Sequence, residues 1–209
     1  MGAKLVTHRE SSEARQRATK LIHDVRKHKQ IKGEYKFFHR LIGSGNRRCI
    51  VKDVNGKYDL DYQIVLTKNC KHGDGNPTKI KADFLQAFTD CKNTNEKVEN
   101  STTVVTHRVS KSQFEFDSDL EKFSFDFVII SIDESKRIRR NGPNQFTWVE
   151  LPSKNSYIYE KFNSLTALEQ RELLEDHVIP RVIIEKNKHE SLRIPSIHIF
   201  YEEVNESVD

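Results

Sequence analysis

A chain of 209 residues with 35 lysines and arginines against 31 acidic residues has a formal net charge of +4, too small an excess to argue for duplex nucleic-acid binding by charge alone. With 35% hydrophobic and 32% charged residues it holds enough apolar material for a core, which excludes a chain disordered throughout. Three cysteines, Cys49, Cys70 and Cys91, make no disulfide framework, residues 1–9 contain no apolar signal core, and no apolar run reaches bilayer length, so a soluble, cytoplasmic protein is expected.

In chain order, Ala14, Ala18, Leu21, Ile22 and Val25 recur at helical spacing and predict a helix over 9–29, with Ser11 or Ser12 as its cap. A strand over 35–42 runs into Gly43-Ser44-Gly45, a small-residue turn. Segments 48–53 and 57–66 flank Asn55-Gly56 and read as a β-hairpin with a type I′ turn. A polar loop over 68–77 leads to a helix over 80–91 with Ile80, Phe84, Leu85 and Phe88 on one side. A polar connection over 93–101, a strand over 102–109, a short strand over 114–116 and a strand over 123–132 follow, then a loop over 138–146. Thr166-x-x-Glu169 has the spacing of a capping box and predicts a helix through residue 174. Pro180 kinks or restarts it, a helix covers 181–189, and a last one starts near Pro195.

The chemistry concentrates in three aspartates. Asp59 and Asp61 alternate with Tyr58, Leu60 and Tyr62, so a strand projects both carboxylates from one face. Like charges so close are costly without a cation, and hard oxygen ligands suit Mg2+ (or Mn2+). Asp126 is the acidic residue inside the apolar run Phe123 to Ile132, where a charge is expensive unless paired or metal-bound. If its strand lies beside that of Asp59 and Asp61, three carboxylates converge to hold cations for attack at phosphorus. A basic excess also suits a polyanionic small ligand such as a nucleoside triphosphate. Cys70, His72 and Cys91 lack the spacing of a zinc site and read as packing or surface residues, and Asp117 and Asp119 read as a turn.

The ordered combination Ile42-Gly43-Ser44, Tyr58-Asp59-Leu60-Asp61-Tyr62 and Phe125-Asp126-Phe127 resembles the DNA-polymerase-β-like nucleotidyltransferase superfamily, most of all its oligoadenylate-synthetase and CD-NTase branch. The resemblance covers roughly residues 35–131. It implies an α+β fold in which a mixed β-sheet core, flanked by helices, occupies 1–150 and a short helical C-terminal part, 151–209, packs on it. It further implies metal ligation and catalysis by Asp59, Asp61 and Asp126, and contacts to the phosphates of an NTP from Gly43, Ser44, Arg47, Lys186 and Ser196. The implied reaction moves a nucleoside monophosphate to an acceptor hydroxyl, on a nucleotide, RNA, protein or small molecule, and releases pyrophosphate. A catalytically silent nucleotide- or partner-binding module, and a toxin-type enzyme modifying RNA or protein, are the alternatives.

Overall fold

Residues 2–67, 75–112, 114–118, 121–151, 156–188 and 194–206 are described in the computed structural model. Their contacts divide the chain into two units: His8–Ile42 with Asp59–Leu151, and Met1–Thr7 with Gly43–Tyr58 and Pro152–Asp209. The fold is α+β, with a mixed sheet and flanking helices, as the sequence predicts.

The first unit is built on a seven-stranded sheet. Its strands are β2 (Phe37–Leu41), β4 (Tyr58–Leu66), β5 (Glu96–Asn100), β6 (Val104–Ser110), β7 (Glu121–Ile130), β8 (Lys136–Gly142) and β9 (Gln145–Glu150). They run in the order β2-β4-β7-β6-β5, with β8 paired to β7 and β9 to β8. Two helices belong to this unit, α1 (His8–Lys27) and α3 (Pro77–Asp90). The stripe Ala14, Ala18, Leu21, Ile22 and Val25 is wholly buried on α1, as its spacing predicts. Ser11 is not the cap: α1 begins at His8, and the Ser11 hydroxyl donates to the His8 carbonyl from inside the first turn. Asn76 caps α3 instead, its side chain accepting from the backbone of Thr78 and Lys79. Aromatic rings fill the interior, with Phe88 stacked on Phe127 at 4.5 Å and Tyr62 at 5.6 Å from the same ring.

Three expectations fail here for identifiable reasons. Residues 96–100 form a strand, β5, paired with β6 and anchored by Glu96, which is buried and takes hydrogen bonds from the guanidinium of Arg17, the imidazole Nε2 of His107 and the backbone N–H of Asn93. The 138–146 segment is a hairpin, β8 to β9, its turn made possible by Asn144 at φ 55°; apolar Ile138 and Phe146 are buried among charged neighbours that hide the alternation. Residues 114–116 form bends and no strand, and Phe114 is exposed.

The second unit holds β1 (Lys4–Leu5), β3 (Val51–Lys52) and the helices α2 (Gly43–Asn46), α4 (Ser156–Ser164), α5 (Ala167–Glu172), α6 (Ile179–Asn187) and α7 (Ser196–Glu206). Its core gathers Val51, Ile158, Phe162, Leu173, Val182, Ile199, Phe200 and Val204. The predicted hairpin is corrected: β3 pairs with β1 in a separate two-stranded sheet, and β4 pairs with β2. A type I′ turn needs positive φ at both central residues, and only Gly56 of the pair has it, at 80°. The Asp53 carboxylate accepts from the backbone of Asn55 and Lys57 and closes a local turn instead. The small-residue turn at Gly43 is a single helical turn, entered through Gly43 at φ 63°.

The capping box at Thr166 and Glu169 forms in both directions. Thr166→Ala should cost about 1 kcal/mol, read as a lower urea midpoint at constant slope. Between α5 and α6 the backbone widens into a π-helical segment, Leu173–Val178, directly before Pro180, which brings no N–H to the helical ladder.

Candidate carboxylate site

Alternation along β4 sets the positions of the first two acids. Tyr58, Leu60 and Tyr62 are buried, whereas Asp59 is exposed and Asp61 half-buried on the opposite face. The Asp61 carbonyl accepts the Ile42 N–H at 2.9 Å, which fixes the end of β2 against the acidic strand. Strand β7 neighbours β4 and carries Asp126 on the face turned away from buried Phe125 and Phe127. The sheet therefore places Asp126 on the strand next to that of the acidic pair. Ser124, two residues earlier on the same face of β7, donates its hydroxyl to Asp59 Oδ1. Thr106, directly opposite Asp126 in β6, donates to Asp126 Oδ1 at 2.6 Å.

Burial lifts the Asp126 carboxyl above its ordinary range, and the negative charge of Asp59 lifts it further. The Thr106 hydrogen bond and the positive charges of Arg108 and Lys81 work against that rise. Asp126 thus feels Asp59 as a like charge that its cationic neighbours offset only in part. Carboxylate oxygens under mutual repulsion are the donor chemistry of a hard divalent cation. Among the described residues, no three His, Cys, Asp or Glu side chains are grouped closely enough to hold one ion; Asp59 and Asp126 are each turned to a hydroxyl. The donor types fit a magnesium-like ion, and ligation would exchange those two hydroxyls for it. Cys91 is a half-buried free thiol, while Cys70 and His72 lie outside the described residues.

The residues expected to meet phosphates all fall in the second unit. Gly43 and Ser44 open α2, and the Ser44 carbonyl accepts from the Cys49 backbone at 3.0 Å. The Arg47 guanidinium lies 4.4 Å over the Phe200 ring, and its buried Nε has no hydrogen-bond partner. Lys186 Nζ donates to the Val51 carbonyl at 2.6 Å. Ser196 is the first residue of α7 and is half-buried.

Sequence reasoning missed Ser124, Thr106 and Lys81. The first was legible, since residue i−2 on a strand shares the face of Asp126; the second depends on the β6–β7 register. Lys81 lies on the inner side of α3 at 1% exposure, with Nζ unpaired and 5.6 Å from the Phe146 ring centroid. Burial, reinforced by Arg140 and opposed by Asp126, brings its pKa down to about 7. The folded chain therefore sheds this proton near neutrality, while the unfolded chain keeps it to the ordinary lysine value. Between those two points the unfolded state binds more protons, so stability should climb as pH rises from about 7 towards 10. Urea unfolding at several pH values checks this, and Lys81→Met should flatten the climb.

The sequence matches no protein-family model and no curated protein. Solved structures do match. The Bradyrhizobium diazoefficiens CD-NTase CdnG in complex with GTP superposes with a TM-score of 0.62 at 12% identity, over 96% of this chain and 66% of that one. The GTP-bound form of Vibrio cholerae DncV gives 0.57 at 16% identity, over 98% and 53%. DncV cyclic AMP-GMP synthase with the linear intermediate 5′ pppA(3′,5′)pG gives 0.53 at 10% identity, over 98% and 74%. The chain thus spans between about half and three quarters of the length of the proteins it resembles. At these identities the likeness speaks for architecture alone. The fold of this chain is the one seen in the solved structures of CdnG and DncV.

Proposed function

We propose that the chain is a nucleotidyltransferase that moves a nucleoside monophosphate from an NTP to an acceptor hydroxyl and releases pyrophosphate. The observation that carries this reading is the convergence of Asp59 and Asp126 on neighbouring strands, close enough for one charge to raise the pKa of the other. Asp59, Asp61 and Asp126 would hold Mg2+ or Mn2+, which supplies charge neutralisation at the reacting phosphate. Asp126 accepts the proton of the attacking hydroxyl, a role that suits a carboxyl lifted above its ordinary range. Gly43 and Ser44 offer backbone N–H groups to the triphosphate, and Arg47, Lys186 and Ser196 add donors. Lys186 must release the Val51 carbonyl to do so. The nucleotides named for CdnG and DncV, GTP and the linear pppApG, support an NTP as the substrate.

Incubation with mixed NTPs and Mg2+, with pyrophosphate release followed and products weighed by mass spectrometry, tests the reading. Release that depends on the metal and vanishes in Asp61→Ala is expected; unchanged turnover in that variant would remove Asp61 from the chemistry. That no three His, Cys, Asp or Glu side chains are grouped among the described residues favours the silent nucleotide-binding module as a second reading. Equal nucleotide affinity with and without Mg2+, and no pyrophosphate with any acceptor, would select it.

A further inference from the structure

The second unit contains a cavity of about 470 Å³ lined by Leu5, Arg47, Arg48, Arg171, Leu174 and Ile179, together with Ala167, Gln170 and Glu175. Its size lies within the range of small-molecule sites. Three arginines and one carboxylate stand in this lining, and that carboxylate, Glu175, is paired with Arg171 at 2.9 Å. Arg47 and Arg48 have no ion-pair partner among the described residues, so their charges in this lining are not neutralised by a carboxylate. Arg48 also holds a left-handed backbone at φ 60°, a conformation that costs a non-glycine residue about 1–2 kcal/mol. Two successive arginines thus line the same cavity. Leu5, Leu174 and Ile179 make part of the wall aliphatic, and the Gln170 amide in that wall already donates to the Leu165 carbonyl.

We infer that this cavity binds a phosphate monoester, its dianion held by Arg47, Arg48 and Arg171 and its body laid against Leu5, Leu174 and Ile179. The excess of two positive charges in the lining matches a phosphate monoester, which carries close to two negative charges at neutral pH. Paired guanidinium forks suit the tetrahedral oxygens of such a group. This site goes beyond the proposed transfer reaction, since no aspartate of the carboxylate site takes part. It shares Arg47 with the proposed triphosphate contacts, so its test rests on Arg48, Arg171 and Ala167.

AMP is the probe, titrated calorimetrically into the full chain in a chelator, so that neither turnover nor a metal enters the measurement. Wild type and Asp59→Asn/Asp126→Asn should bind AMP alike. Arg48→Glu/Arg171→Glu should weaken binding by at least about tenfold, and Ala167→Trp, which fills the cavity without touching a charge, should do the same. Inorganic phosphate should bind at least about tenfold more weakly than AMP, because it leaves the aliphatic wall uncovered. The inference is overturned if AMP binds the arginine and tryptophan variants as it binds wild type, if the aspartate variant loses it, or if phosphate binds as tightly as AMP. A chain that never releases pyrophosphate but passes this test would lose the proposed reaction and keep the cavity.

Discussion

Asp126→Asn should lower pyrophosphate release by at least about 10²-fold, the scale of losing one preorganised electrostatic contact, while leaving the chain folded. The side chain keeps its shape, and the retained amide oxygen still accepts from Thr106 at the position of Oδ1. What disappears is the negative charge, and with it the proton-accepting and cation-holding capacity of the third acid. Thr106→Val makes the companion variant. It removes the hydroxyl that holds Asp126 and should raise the carboxyl further, since that hydrogen bond is the strongest influence opposing the rise. A fall in turnover with Asp126→Asn and a shifted pH–rate profile with Thr106→Val would locate the chemistry at this strand pair. Equal turnover in wild type and Asp126→Asn, with both folded, would remove Asp126 from the mechanism.

The largest expected loss of stability comes from Arg17→Met. Glu96 is 2% exposed and sits among the Arg17 guanidinium, the His107 imidazole and the Asn93 N–H. Burial would push its carboxyl up, yet the hydrogen bonds from His107, Arg17 and Asn93 outweigh burial and bring it to about 2. Removing the arginine strands a buried carboxylate, which costs about 3–5 kcal/mol. In a chain of this size that is a fall in melting temperature of roughly 6–20 °C. The double variant Arg17→Met/Glu96→Leu should recover much of it, because no charge is then left unpaired. The same group sets an acid limit. Its folded-state pKa is depressed, so its contribution is whole above the ordinary glutamate value and should be lost as pH falls from about 4.5 towards 2. Denaturation midpoints across that window check the sign.

The strands and faces of the three aspartates were legible in the sequence because that signal is local. Two-residue alternation decides which face Asp59, Asp61 and Asp126 occupy, and a single burial pattern confirms each strand. Elements whose logic is long-range stayed hidden. Strand β5 looks like a polar linker because its anchor, Glu96, is made buriable by Arg17, 79 residues away. The β8–β9 hairpin reads as a loop because Arg137, Arg139 and Arg140 interrupt its apolar pattern. The Asn55-Gly56 signal predicted the turn, but the partner that β3 takes, β1, lies some 46 residues upstream in the register Leu5 to Val51. Lys81 shows the limit most clearly. Nothing in Pro77-Thr78-Lys79-Ile80-Lys81 distinguishes the buried lysine from its exposed neighbour two positions earlier; only packing does.

A π-helical turn houses one residue more than a regular turn over a similar rise. Deleting a single residue between Leu173 and Val178 would let the two flanking helices fuse into one uninterrupted rod. Positions downstream would keep their direction around the axis, because the wide turn and the regular turn that replaces it both close one full circle. A deletion within Ile179–Arg181, where no wide turn absorbs it, would instead swing every following position by about 100°, taking Val182 out of the interior and Lys186 away from the Val51 carbonyl it grips. Homologous chains should therefore lose a residue in the wide stretch more readily than in the helix that follows it.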